Sequence, residues 1–148
     1  MQGLFFDEEQ QYWTQKSWQE AAADIAFRSL SSDLFAEVSG YRYPQGVLAI
    51  CRMPKEATVD TLVSQKGIIV ALDAVQDPGN LGTIIRTATW FGACGIISGK
   101  GTVDLFHPKV VRATAGATGS LPFINSKLED ILPAFEQKGW PTYFLDAG

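Results

Sequence analysis

Metal-ligating and disulfide-forming residues are scarce: the 148 residues include two cysteines and one histidine. A lone histidine, His107, cannot make a histidine-rich site, and no CxxC, HExxH or EF-hand spacing is present, so no metal is expected. Cys51 and Cys94 lie far apart, each in an apolar, strand-like run, and read as buried free thiols rather than a disulfide. No apolar run approaches the roughly 20 residues that span a bilayer. Met1 to Phe6 lack the basic and apolar segments of a signal peptide. The expectation is a cytoplasmic protein without a membrane segment. Positive charge is also in short supply, with 12 Lys and Arg against 16 Asp and Glu and a net charge of −4. That disfavours nucleic-acid binding by overall charge, while leaving room for a local basic face. Internal repeats and low-complexity segments are absent.

What is present is a globular composition, 46% hydrophobic and 19% charged, with length for one ordinary domain or a small domain plus part of another. The first third is irregular. Trp18 to Ala23 reads as a helix turn or two, Asp24 to Arg28 as a short strand, and Ser31 to Glu37 as a short helix capped by Ser32 or Asp33. Gly40 ends that helix where a left-handed residue is needed. Gly46 to Cys51 is an apolar run of strand length after the turn Pro44-Gln-Gly46. Residues 53–65 are polar, contain Pro54, and read as a linker.

From Gly67 the pattern alternates. Gly67 to Asp73, Cys94 to Ser98, Leu121 to Ile124 and Thr142 to Asp146 read as strands. Between them lie helices over Leu81 to Phe91, capped by Asn80 and stopped by Gly92, over Pro108 to Ala117, and over Leu128 to Lys138. This β-α-β-α-β-α-β order predicts an α/β domain, a parallel sheet with helices on both faces. Ligands on such sheets bind beyond the carboxyl ends of the strands. Those ends are Asp73 to Asn80, Ser98 to Asp104, and Asp146 onward.

The stretch Leu72-Asp-Ala-Val-Gln-Asp-Pro-Gly-Asn-Leu-Gly-Thr-Ile-Ile-Arg-Thr-Ala-Thr-Trp-Phe-Gly92 closely resembles the first signature of the SpoU/TrmH RNA ribose 2′-O-methyltransferases. The likeness continues through Gly95-Ile-Ile and through Asp104-Leu-Phe-His-Pro-Lys-Val-Val-Arg-Ala-Thr-Ala-Gly-Ala117 to Leu121-Pro122. It covers residues 67–148. The resemblance implies a partial N-terminal RNA-binding domain at residues 1–52, a linker at 53–65, and the N-terminal part of a SPOUT-type methyltransferase domain at 66–148. The family's later signatures, a Gly-Asn-Glu-x-x-Gly loop and a helix containing Ser-Leu-Asn, are not in this sequence. By resemblance these complete the knot and most of the S-adenosylmethionine pocket, so the expected fold lacks the knot segment and the cofactor pocket is expected to be incomplete.

The implied reaction moves a methyl group from S-adenosylmethionine to a ribose 2′-hydroxyl of rRNA or tRNA. That hydroxyl is a poor nucleophile and needs both proton removal and in-line placement. Arg86 is the leading candidate. A guanidinium is a poor general base, and suits gripping a phosphate beside the target ribose and orienting the 2′-oxygen. Asn80 is the second catalytic candidate, able to cap its helix and present its amide. Lys109 and Arg112, three apart on one helix face, join Arg86 as candidate RNA contacts. Leu145, Asp146, Ala147 and Gly148 would form the first cofactor loop, and a homodimer is implied. A solvated helix arginine and an unused surface pair remain the bland readings of Arg86 and of Lys109 with Arg112.

Two other readings of the same residues are possible. A dinucleotide fold would need G-x-G-x-x-G at the first strand–helix turn, where this chain has Asp77-Pro-Gly-Asn-Leu-Gly82. A non-catalytic RNA-binding module or degenerate subunit is the alternative that the missing signatures favour. Gly99-Lys-Gly-Thr102 lacks the spacing of a phosphate-binding P-loop, and His107 with Asp104 forms no hydrolase triad, since no nucleophile elbow is present.

Overall fold

The computed structural model describes residues 2–10, 20, 24–41 and 43–145. The helical turn expected over residues 18–23 lies outside them apart from Glu20. The chain divides into two units, Met1–Met53 and Pro54–Gly148, and each is described by itself.

The first unit is built on a three-stranded sheet. Strand β1 (Gly3–Asp7) is central, parallel to β2 (Ala26–Leu30) and antiparallel to β3 (Val47–Ile50). Leu4 and Phe6, two apart and so on one side of the pleat, are buried with Ile25, Phe27 and Val47 packed on them. The Phe6 and Phe27 rings stand 4.5 Å apart. Helix α1 (Ser32–Ser39) buries Phe35 and ends at Gly40, whose φ of 67° is the left-handed geometry expected there. Its N-cap is Ser31, without a side-chain cap bond. Neither Ser32 nor Asp33 caps it. Instead the Ser32 hydroxyl donates to the buried carboxylate of Asp7 at 2.5 Å. That bond satisfies an acid that burial would otherwise penalise.

The second unit carries a parallel sheet in the order β4 (Ile69–Leu72), β5 (Gly95–Ser98), β6 (Phe123–Asn125). Helix α3 (Pro78–Trp90) joins β4 to β5, and α4 (Pro108–Ala113) lies between β5 and β6. Helix α5 (Leu128–Glu136) follows β6. The strand period of two sends neighbouring residues to opposite faces. Ile96 packs with Leu81, Ile85 and Val110 on one side. Ile97 packs with Leu62, Ile131 and Phe135 on the other. The α/β fold with helices on both faces is therefore as expected.

The linker is not. Residues 54–65 belong to the second unit. The Ala57 N–H donates to the Phe123 carbonyl, and the Glu56 carboxylate accepts from the backbone and side-chain amides of Asn125, so this segment runs along the outer edge of β6. Helix α2 (Val59–Val63) follows, capped by Thr58, and its Leu62 is wholly buried. A side chain on Gly95 would stand 2.6 Å from Leu62 Cδ2, so β5 carries glycine where Leu62 lands.

Three further expectations are corrected. No strand forms over residues 142–145, where Tyr143 and Phe144 are more than 80% exposed. β-propensity without a neighbouring strand does not make a strand. The α4 helix stops at Ala113, because Ala115 and Gly116 take left-handed φ values of 49° and 96°. Cys51 is exposed rather than buried, and Cys94 is half-buried.

Candidate functional site

The carboxyl ends of β4 and β5 are tied into one floor. The Gly99 N–H donates to the Leu72 carbonyl at 2.8 Å, and the Val103 N–H to the Val75 carbonyl at 2.9 Å. Thr102 Oγ1 accepts from the Val75 N–H at 3.3 Å and donates to the Leu72 carbonyl at 3.4 Å. Gly99 sits where any Cβ would meet the Leu72 carbonyl oxygen at 2.4 Å, so only glycine permits this approach.

From that floor rises α3. Its N-cap is Asp77, whose carboxylate accepts from the Asn80 N–H at 2.7 Å, and Pro78 occupies the first turn. The expectation that Asn80 caps the helix is thus corrected. Both residue types favour N-caps, but Pro78 is pre-set for the first helical position, which moves the start three residues earlier. Asn80 consequently lies inside the first turn. Its carboxamide is exposed and makes no hydrogen bond among the described residues.

The apolar stripe of α3, Leu81, Ile85 and Ala88, faces the core. Arg86 stands off that stripe on the exposed face, one turn on from Gly82. Among the described residues it has no ion pair.

Gly82 faces α4. A Cβ built on it would lie 2.3 Å from the Ala113 Cβ, so the two backbones touch there. Arg86 is one turn beyond Gly82, and Lys109 is one turn before Ala113. The two cations thus flank one helix contact, with Arg112 next to Ala113 in sequence. Lys109 and Arg112 are both exposed. His107 caps α4, with Nδ1 accepting the Lys109 N–H at 3.2 Å, a role the sequence reading missed. A capping signal was there: a polar side chain immediately before Pro108.

Of the expected cofactor loop, Leu145 is fully exposed, while Asp146, Ala147 and Gly148 lie outside the described residues. A groove of about 330 Å³ lined by Ile68, Val70, Ile84 and Phe91 is almost wholly apolar. No helix among the described residues is long and apolar enough to cross a membrane.

The chain is similar to known proteins in both sequence and structure. In sequence, the chain is 36% identical over 114 residues to the 23S rRNA (guanosine(2553)-2′-O)-methyltransferase RlmP of Bacillus subtilis, covering 77% of this chain and 44% of that protein. It is 33% identical over 107 residues to the human mitochondrial rRNA methyltransferase 3, covering 70% of this chain and 26% of that one. In structure, it matches an AdoMet-bound rRNA methyltransferase from Sinorhizobium meliloti with a TM-score of 0.75 and 29% identity, over 91% of this chain and 50% of that one. AviRb of Streptomyces viridochromogenes in complex with AdoMet matches with a TM-score of 0.73 and 26% identity, over 93% and 53%. The chain thus spans about half the length of these solved relatives, and less of the two curated ones. The SpoU rRNA Methylase family matches over residues 67–148, the same stretch that carries the tied strand ends, the Asp77 cap and the Gly82 contact, and the chain belongs to that family.

Proposed function

We propose that this chain is the RNA-facing part of an S-adenosylmethionine-dependent ribose 2′-O-methyltransferase acting on rRNA or tRNA. The observation that carries the reading is the placement of Arg86: a guanidinium with no ion pair among the described residues, on the solvent face of a helix capped by Asp77 in the loop after β4. A guanidinium stays protonated in proteins, so its work is positional. It grips a backbone phosphate and holds the neighbouring 2′-oxygen in line. The exposed carboxamide of Asn80 supplies a second polar contact nearer the helix start. Lys109 and Arg112 extend the grip along the RNA backbone.

Leu145 stands in solvent. The choice of S-adenosylmethionine is supported by the two similar structures that hold it. Asp146, Ala147 and Gly148 remain its proposed contacts with Leu145. Residues 1–52 are read as RNA-binding, and the protein as cytoplasmic. Two copies are proposed to associate, supported by the apolar surface at Ile68, Trp90 and Phe91. Sedimentation of the chain tests that association.

The test of the function is transfer of labelled methyl groups from S-adenosylmethionine to rRNA, and to tRNA in parallel. Arg86→Ala is expected to lower transfer about 100-fold, the scale of a misplaced reacting group. Arg86→Lys keeps the charge but not the fork, and falls between. RNA binding with no transfer would favour the non-catalytic RNA-binding module instead.

A further inference from the structure

A second cleft, of about 420 Å³, lies at the carboxyl ends of β5 and β6, lined by Ser98, Lys100, Thr102, Asp104, Asn125 and Ser126. Its volume is in the range of small-molecule sites, and about half of its lining surface is polar. Arg86 and Asn80 are not part of it. Ser98 is the decisive residue. It is 6% exposed, and its hydroxyl has no hydrogen-bond partner among the described residues. Its backbone carbonyl is already engaged by the Ser126 N–H. A buried hydroxyl without a partner is unfavourable unless something entering the cleft supplies one.

The neighbours say what that something is. Lys100 is exposed at the rim and carries the cleft's cation. Asn125 is held rigid, because Glu56 Oε1 accepts from its Nδ2 at 2.7 Å and Oε2 from its backbone N–H at 3.3 Å. That leaves the Asn125 amide oxygen as an oriented acceptor. Asp104 uses Oδ1 to accept from the Phe106 N–H at 2.9 Å, and its other oxygen is left to accept. One ammonium beside a set of fixed acceptors and hydroxyls does not suit a bare anion, which Asp104 would repel. It suits a group carrying one phosphate together with several hydroxyls.

The geometry points to a subsite for one ribonucleotide flanking the methylated position, with its phosphate on Lys100 and its sugar hydroxyls on Ser98, Asp104 and Asn125. This rests on the reading of the chain as RNA-acting, and deepens it by assigning contacts beyond Arg86. A ribose 2′-hydroxyl is the group by which a protein distinguishes RNA from DNA, so this cleft contributes to that choice.

The experiment is titration of the ¹⁵N-labelled 148-residue chain with a 12-nucleotide single-stranded RNA, its DNA counterpart and inorganic phosphate, followed by amide shifts. RNA is expected to move Gly99 to Thr102, Asn125 and Ser126. Lys100→Ala should weaken RNA binding roughly tenfold and lower the slope of log affinity against log salt by about one. Ser98→Ala should weaken RNA more than DNA; a purely structural Ser98 would leave both unchanged. The subsite is overturned if these amides stay still, if Lys100→Ala leaves affinity and salt slope intact, or if inorganic phosphate reproduces the same shifts and displaces RNA. In that event, RNA-induced shifts at Arg86 and Lys109 would leave the functional reading standing. RNA that moves neither set would overturn both.

Discussion

Gly82 and Ala113 meet with no room for another carbon: a Cβ on Gly82 would sit 2.3 Å from the Ala113 Cβ and 2.8 Å from its carbonyl carbon. In an isolated helix, alanine is favoured over glycine by about 1 kcal/mol. Here the overlap is with backbone, which cannot swing aside. Gly82→Ala is therefore expected to destabilise the chain by about 1–3 kcal/mol, the usual cost of overpacking. Urea unfolding measures it. A variant as stable as the parent would mean that α3 and α4 are not in contact at this point.

The cap of α3 separates two residues that resemble each other in sequence. Asp77→Ala removes the carboxylate that accepts the Asn80 N–H and should cost about 1 kcal/mol. Asn80→Ala should change stability by no more than about 0.5 kcal/mol, as for exposed residues generally. Equal losses would place the helix start elsewhere.

Leu62 tests where the second unit begins. It is fully buried against the face of the sheet that holds Ile97 and Ile124. Leu62→Ala should cost about 2–5 kcal/mol through lost burial and the cavity left behind. A flexible linker would tolerate the change, so an unaltered denaturation midpoint would restore the linker reading.

The two thiols should differ in reactivity. Cys51 is exposed. Burial pushes the Cys94 thiol above its ordinary range, opposed by a smaller effect of a hydrogen bond from its own backbone. A raised value means less thiolate at any given pH, and the thiolate is the reactive form. At pH 8, a maleimide or disulfide reagent should modify Cys51 first, with Cys94 lagging and catching up as pH rises. Mass mapping of the modified peptides reads the order.

Lys109→Ala and Arg112→Ala should each weaken RNA binding without changing sequence preference, and each should lower the salt slope by roughly one. Binding measured across a range of KCl concentrations separates this from a purely structural loss, which would leave the slope unchanged.

Much of the second unit could be read directly from the residues, because its strands are short, mostly apolar runs between turn signals. Ile69–Leu72 and Gly95–Ser98 are of this kind. What escaped were features that depend on a partner. Gly3–Asp7 is too short to show a period and becomes a strand by pairing with β2 and β3. Val59–Val63 has a single buried residue, so no stripe announces it. Tyr143 to Leu145 have strand-forming side chains but no strand beside them. Arg86 was singled out by resemblance, and Lys109 and Arg112 by their shared helix face. The seam between them was not, since it depends on Gly82 facing Ala113 across two helices. The cleft at Ser98 was also hidden, because an unanswered hydroxyl shows only in three dimensions.

The hydrogen bonds joining Leu72 and Val75 to Gly99, Thr102 and Val103 have a mechanical consequence. Two loops bound at several points cannot open one at a time, so their amides should exchange with solvent as a single cooperative unit. An RNA resting on this platform would meet a surface that does not yield, and any adjustment needed to bring a ribose into line would fall to the nucleic acid.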